Sequence, residues 1–103
     1  MTQERAGDNE PRDPRQEVEI RMGFRKPGYP KTKGDLLNIS RTGFQLDSAA
    51  VLGESDRLFL YLPGLQPLSA TVVWRNDFRI GCKFDTPISD YVYDNLISRL
   101  TGD

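Results

Sequence analysis

The sequence predicts a mainly β domain, a six-stranded antiparallel barrel with a C-terminal α-helix. Three observations predict it. Apolar and polar residues alternate over several short segments, which is the period of a half-buried strand. Turn-forming residues separate these segments at short intervals, and near the C-terminus the apolar spacing changes to four residues, which is typical of an amphipathic helix. The chain of 103 residues has the size of one small domain.

The N-terminal part of the barrel follows a polar tail. Residues 1–10 show no apolar periodicity and are predicted to be disordered. The first strand is predicted from Val18 to Arg25, because every second residue from Val18 to Phe24 is apolar. Residues 25–34 contain two prolines and two glycines and predict a loop too broken to pair throughout.

The second and third strands are predicted at residues 36–40 and 44–46. The segment 41–43 connects them, and Gly43 is expected to supply a left-handed conformation in that turn. The fourth strand covers residues 57–62 and ends before Pro63-Gly64. The fifth and sixth cover residues 68–75 and 78–84, joined by a two-residue turn at Asn76-Asp77.

The helix is predicted over residues 89–100, after a barrel spanning residues 17–85. Its apolar stripe recurs every four residues from Ile88, with Ser89 as the N-cap and Gly102 as the stop. The stripe is expected to cover an open end of the barrel. Cys82 is interpreted as a small buried hydrophobe. The aromatic residues expected in the core are Phe24, Phe44, Phe59, Trp74, Phe78 and Phe84.

Charge and composition exclude several classes of function. The 14 basic and 15 acidic residues give a net charge of -1, whereas nucleic-acid-binding domains usually carry a basic excess. Residues 1–34 carry eight Lys/Arg and six Asp/Glu, net +2, so an anion-binding surface is expected in this N-terminal third. There is no histidine, and the single cysteine allows neither an internal disulfide nor a zinc cluster.

The inventory of catalytic groups predicts a binding domain and not an enzyme. The sequence contains no nucleophile elbow, phosphate loop or dinucleotide-binding glycine pattern. No cofactor or metal is expected. The chain has no apolar run of membrane-spanning length and does not begin with the pattern of a signal peptide, so a cytoplasmic location without membrane contact is expected.

Two arginines in the segment 11–16, just before the first strand, are the first candidate binding residues. Arg12 and Arg15 each carry a guanidinium that can bind a phosphate or the edge of a guanine through two parallel hydrogen bonds. On a mobile arm they could clamp an anionic ligand. The alternative is that they are two solvated arginines in a polar tail.

The segment 38–43 is the second candidate. Asn38 and Ser40 lie two positions apart and are expected on the same side of a strand, where an amide and a hydroxyl could bind a base edge or a ribose. Gly43 would let a ligand approach the backbone. The alternative is a hairpin in which Asn38 and Ser40 only bond the turn.

Trp74, within the segment 71–75, is the third candidate. An indole on a strand can pack beside a nucleotide base, and it can equally belong to the core or to the rim of a barrel.

Taken in order, these residues resemble the PilZ domain, the bacterial family of cyclic di-GMP receptors. The resemblance covers about residues 11–100. The pattern of the PilZ family is an Arg-x-x-x-Arg motif before the first strand, followed by Asp/Asn-x-Ser-x-x-Gly, a Trp-bearing hairpin and a terminal helix. Asn38-x-Ser40-x-x-Gly43 matches the second motif completely. The resemblance implies a PilZ-type six-stranded barrel.

The first motif departs from the family pattern. Pro11 stands where the first arginine is expected, Arg12 occupies an interior position, and Arg15 matches the second arginine. A literal Arg-x-x-x-Arg occurs at Arg21 and Arg25. It is rejected as the motif, because these residues belong to the first strand and lie only a dozen residues before the second motif.

The resemblance implies a role for each candidate. Arg12 and Arg15 would hold the phosphates and guanine edges of cyclic di-GMP, and the arm would become ordered around the ligand. Asn38 and Ser40 would bind a guanine, with Gly43 in the turn and Trp74 packed beside the base. The expected function is therefore second-messenger signalling: a receptor that changes arm conformation and affinity for an unidentified downstream protein.

Two alternatives stay open at this point. A degenerate PilZ domain would bind a protein and no nucleotide, which Pro11 favours and the intact second motif opposes. A small barrel could instead bind RNA or single-stranded DNA on its aromatic residues, which the charge balance opposes.

Overall fold

The computed structural model describes residues 14–102. These residues form six strands and one C-terminal helix, close to the predicted segments. In chain order the elements are β1 (Gln16–Arg25), β2 (Thr32–Ile39), β3 (Gly43–Asp47), β4 (Arg57–Tyr61), β5 (Leu68–Asn76), β6 (Arg79–Phe84) and α1 (Asp90–Thr101). The predicted tail, residues 1–10, and the first half of the predicted arm, with Pro11 and Arg12, lie outside the described residues.

The six strands close into an antiparallel barrel in the order β1-β2-β3-β6-β5-β4. The barrel closes where β1 pairs with β4, with Gly23 opposite Tyr61 and Arg25 opposite Phe59. Full closure leaves no unpaired sheet edge among the strands. The predicted six-stranded barrel is thus confirmed.

The inward-facing apolar residues of the strands fill the barrel and form its core. Phe24, Phe44 and Phe84 are at most 2% exposed, and the rings of Phe44 and Phe84 pack with their centroids 5.1 Å apart. Burial of these apolar side chains is the main source of the stability of the barrel. Leu96 and Leu100 of α1 belong to the same cluster, so the helix contributes to the core as its apolar stripe predicts.

Both ends of α1 are capped as predicted. The hydroxyl of Ser89 accepts a hydrogen bond from the Val92 N–H at 3.3 Å, and Gly102 ends the helix in the left-handed conformation, with φ of 80°. Among residues 14–102, a helix with the length and hydropathy of a membrane span is not found.

A β-bulge in β2 decides which residues of that strand face outward. The register with β3 shifts between Leu36 and Asn38. Leu36 and Ile39, three positions apart, are therefore both fully buried in the core. Asn38 is left opposite Gln45 of β3 on the outer side of the sheet, where neighbouring side chains cover it and leave it 7% exposed.

The β5–β6 hairpin turns one residue later than predicted. Asn76 pairs with Arg79, so the turn consists of Asp77 and Phe78, with Asp77 at φ of 56°. Phe78 is consequently 63% exposed at the tip and not in the core. The expected core positions of Trp74 and Phe59 are also wrong, because both side chains lie on the outer surface and are only partly covered.

Two further expectations are corrected by the backbone. The predicted loop 25–34 is shorter, because residues from Thr32 onward pair with β1 in spite of Gly34. Gly43 does not supply a left-handed residue; within residues 14–102 the glycines with positive φ are Gly28, Gly64 and Gly102.

Candidate functional site

One row of paired residues crosses the outer surface of four strands. Asn38 of β2 lies opposite Gln45 of β3, Gln45 lies opposite Gly81 of β6, and Gly81 lies opposite Trp74 of β5. Residues directly opposite each other in antiparallel strands place their side chains on the same face. The row therefore joins two of the candidate residues, Asn38 and Trp74, into one continuous surface.

Arg15, the residue just before β1, contacts the Asn38 end of this row. Its Nη1 donates a hydrogen bond to Asn38 Oδ1 at 2.9 Å. Asn38 Nδ2 in turn donates to Gln45 Oε1 at 3.3 Å. The guanidinium is thus held beside the two amides, although 23 residues separate Arg15 from Asn38.

Trp74 covers the other end of the row. Its indole lies directly over Gly81, where the Cβ of any other residue would overlap the ring. Trp74 remains 36% exposed, so part of the ring faces solvent. Gly81 thus provides the space in which the indole lies flat on the sheet.

Ser40 lies in the turn after β2 and is 1% exposed. Its Oγ accepts hydrogen bonds from the N–H groups of Thr42 and Gly43, both at 3.2 Å. The Ser40 N–H donates to the Gly43 carbonyl at 2.8 Å. Ser40 therefore fixes the shape of the turn, as in the alternative interpretation of the motif, while the Asn38 side chain bonds Arg15 and Gln45 instead.

Gly43 is required by close packing of the backbone. A Cβ at this position would overlap the carbonyl oxygen of Cys82 on β6.

Cys82 itself is buried, and burial raises the pKa of its thiol to about 12. Its burial confirms the interpretation of Cys82 as a small buried hydrophobe, and a thiol with this raised pKa is protonated at neutral pH.

The row borders a shallow cavity of about 230 Å³. Its wall contains two cations, Arg15 and Lys83, together with the aromatic ring of Trp74 and the amide of Gln45. Such a combination can bind a planar, anionic ligand through hydrogen bonds and ring contact. The residues lining it are Arg15, Thr42, Gly43, Gln45, Val73, Trp74, Gly81, Cys82 and Lys83.

The family model for the PilZ domain matches residues 9–102. The chain belongs to the PilZ domain family. No match is found among curated proteins. Because PilZ domains are a family of cyclic di-GMP receptors, membership indicates a binding or adaptor domain as the general kind of function.

The structure brings most of the predicted site residues of this PilZ domain together. Arg15, Asn38, Gly43 and Trp74 surround one surface, and Ser40 lies beneath it in the turn. Arg12 lies outside the described residues. That these residues bind a ligand stays a prediction.

Three site residues were not foreseen from the sequence: Gln45, Gly81 and Lys83. The alternation of β3 and β6 shows which of their residues face outward, and this signal was available. Which of them lie opposite Asn38 and Trp74 depends on the bulges at Leu37 and Val73, which have no sequence signal of their own.

Proposed function

We propose that this PilZ domain is a receptor for cyclic di-GMP, which binds across the row from Asn38 to Trp74. The observation that carries the proposal is the hydrogen bond from Arg15 to Asn38. It places a cation next to two amide side chains on a surface that ends in a partly exposed indole.

The hydrogen-bonding groups of the row suit a guanine. The Gln45 side chain offers both a donor and an acceptor, and a guanine edge presents both kinds of group. Asn38 is 7% exposed and bonds Arg15 and Gln45, so its amide has one lone pair and one N–H left for a ligand. The guanidinium of Arg15 has five donors, and its bond to Asn38 uses one of them. It can therefore bind the O6/N7 edge of a guanine or a phosphate while it stays near Asn38.

The size and charge of the cavity suit one end of the ligand. Its volume of about 230 Å³ lies below the ~300–1,000 Å³ of pockets that enclose a whole drug-sized molecule. One base would occupy it, with Trp74 packed beside the ring. The two phosphate charges would lie at the rim, close to the positive charges of Arg15 and Lys83.

Arg12 is proposed to add a second guanidinium to the clamp, so that the segment 11–16 becomes ordered as it closes over the ligand. Ser40 acts through the turn, because its hydroxyl already bonds two backbone N–H groups. The output would be a change in arm conformation and in affinity for a downstream protein, in the cytoplasm and without a cofactor.

A second candidate is a degenerate PilZ domain that binds a protein partner and no nucleotide. Pro11 in place of the first motif arginine favours it. Loss of one charged bidentate contact costs roughly 1.5–3 kcal/mol, about ten- to a hundred-fold in affinity or slightly more. The two candidates therefore differ in whether Arg12 and Arg15 suffice.

The paired arginines allow a matched experiment. Calorimetry would compare cyclic di-GMP binding by two double variants of the chain, Arg12→Ala/Arg15→Ala and Arg21→Ala/Arg25→Ala. Both double variants remove two positive charges, but Arg21 bonds Asp35 and Arg25 bonds Tyr61, away from the row. We expect binding to fall at least about ten-fold in the first variant only. Undiminished binding in the first variant would disprove the clamp.

A further inference from the structure

A second surface lies on the outer side of β2, β1 and β4, across the barrel from the candidate nucleotide site. Gly23 of β1 has Lys33 opposite it on β2 and Tyr61 opposite it on β4. In the neighbouring pair, Arg25 lies opposite Phe59. We call this surface the basic–aromatic face and define it by Arg25, Lys31, Lys33, Phe59 and Tyr61.

Two cations of the face are held against its rings. Lys31 Nζ lies 4.3 Å from the ring centroid of Tyr61, and the Lys31 chain crosses Gly23, where a Cβ would lie 2.5 Å from Lys31 Cε. The guanidinium of Arg25 lies 5.1 Å from the ring centroid of Phe59, and its Nε donates to the Tyr61 hydroxyl at 3.2 Å. The positive charges thus have fixed positions before any partner arrives.

The positive charge of this region is largely uncompensated. Residues 20–34 contain five Lys/Arg and no Asp/Glu. Arg21 and Lys26 form ion pairs with carboxylates of other segments. Within residues 14–102, Arg25, Lys31 and Lys33 have no carboxylate at ion-pair distance. The face therefore favours a negatively charged partner.

An apolar pocket of about 360 Å³ adjoins the face through Lys31, which lines both. Two exposed apolar side chains line it, Tyr29 at 59% and Val51 at 86% exposure. Exposed apolar groups around one concavity are typical of a binding surface. The pocket is lined by Phe24, Lys26, Tyr29, Pro30, Lys31, Thr32, Ala50, Val51 and Leu52.

We propose that the basic–aromatic face and this pocket dock an acidic segment of a partner protein. An apolar side chain of the segment would enter the pocket, and carboxylates beside it would bind Arg25, Lys31 and Lys33. A concave pocket of about 360 Å³ receives the projecting side chains of a peptide better than a flat membrane surface, and the net charge of -1 disfavours a nucleic acid. The proposal does not rest on nucleotide binding, since the two sites share no residue.

The test uses the full chain and a labelled synthetic peptide with a central Leu-Phe pair flanked on both sides by Glu and Asp. Fluorescence anisotropy measures its affinity. We expect Lys31→Glu/Lys33→Glu to weaken binding at least about ten-fold. Arg79→Glu/Arg99→Glu is the matched control with the same change in net charge, and should bind like the original chain. A peptide with Ser in place of Leu-Phe should bind at least about ten-fold more weakly.

Val51→Asn tests the pocket without a change in charge, and without a change in folding because Val51 is 86% exposed. It should reduce binding of the Leu-Phe peptide and leave the melting temperature unchanged. Three results would overturn the proposal: no binding at millimolar peptide, equal loss of binding in the Arg79/Arg99 control, or displacement of the peptide by anionic phospholipid vesicles or single-stranded DNA at lower concentration.

Discussion

Asn38 and Ser40 are two positions apart in one motif, but their side chains have different hydrogen-bond partners and different roles. Asn38, which is 7% exposed, bonds two side chains, Arg15 and Gln45, on the outer side of the sheet. Ser40 bonds two backbone N–H groups inside the turn. The sequence predicts both as polar site residues, yet only the bulge at Leu37 and the end of β2 at Ile39 separate their roles.

Asn38→Ala should weaken cyclic di-GMP binding about ten-fold and change the free energy of unfolding by less than about 1 kcal/mol. The reason is that Asn38, although only 7% exposed, bonds the side chains of Arg15 and Gln45 and no backbone group of the turn. Calorimetry and thermal unfolding of the same sample measure the two effects. A large drop in melting temperature would show that Asn38 acts in the turn.

Ser40→Ala should lower the stability by about 1–3 kcal/mol, because it leaves the N–H groups of Thr42 and Gly43 without their buried acceptor. Urea unfolding measures the loss. Ser98→Ala, which truncates an exposed serine of α1 in the same way, is the matched control and should not lower the stability. Unchanged stability of Ser40→Ala would contradict the role of Ser40 in the turn.

At the scale of elements, Arg75 joins β5 to the segment that follows β3. Its guanidinium donates to the carbonyls of Ser48, Ala50 and Leu52 at 2.6–2.9 Å, and to that of Asp77 at 2.8 Å. One side chain thus donates hydrogen bonds to three carbonyls of a segment that has no regular strand or helix pairing.

Arg75→Met should therefore destabilise the domain by about 2–3 kcal/mol and increase hydrogen exchange in residues 48–53. Arg79→Met is the control, since Arg79 forms one exposed ion pair with Asp47, and such pairs contribute about 0–1 kcal/mol. Equal effects of the two substitutions would contradict the anchoring role of Arg75.

The predicted segments overlap all six strands and the helix, because alternation and turn residues are local signals. The errors occur where the register of strand pairing determines the position of a turn or the direction of a side chain. The turn at Asp77-Phe78 and the outward position of Trp74 both follow from pairing between β5 and β6, including the bulge at Val73. Strand pairing is a property of two distant segments, so a pattern within one segment cannot specify it.

At the scale of the whole molecule, the two surfaces lie on different sides of the barrel. The candidate nucleotide site lies on β2, β3, β6 and β5, and the basic–aromatic face on β2, β1 and β4. They share β2 but no residue, so a ligand and a partner could be bound at the same time.

The stability of the molecule should also depend on pH through Asp56. A hydrogen bond from the Gly53 N–H, followed by the contact with Lys26, holds the pKa of Asp56 below its ordinary value of 3.8. A lowered pKa in the folded state stabilises the protein above pH 3.8, and this contribution is lost as pH falls through the folded-state value. Asp56→Asn should flatten the decline of stability below pH 4, measured by thermal unfolding. An unchanged decline would contradict this assignment.

We propose that this PilZ domain binds cyclic di-GMP without the first motif arginine. Isothermal titration of the full chain with cyclic di-GMP, with GTP and cyclic GMP as controls, measures this binding. We expect selective binding of cyclic di-GMP at low micromolar concentration or tighter, and the titration also gives the stoichiometry. No heat and no thermal shift at millimolar cyclic di-GMP would contradict it and would place the domain in the degenerate class.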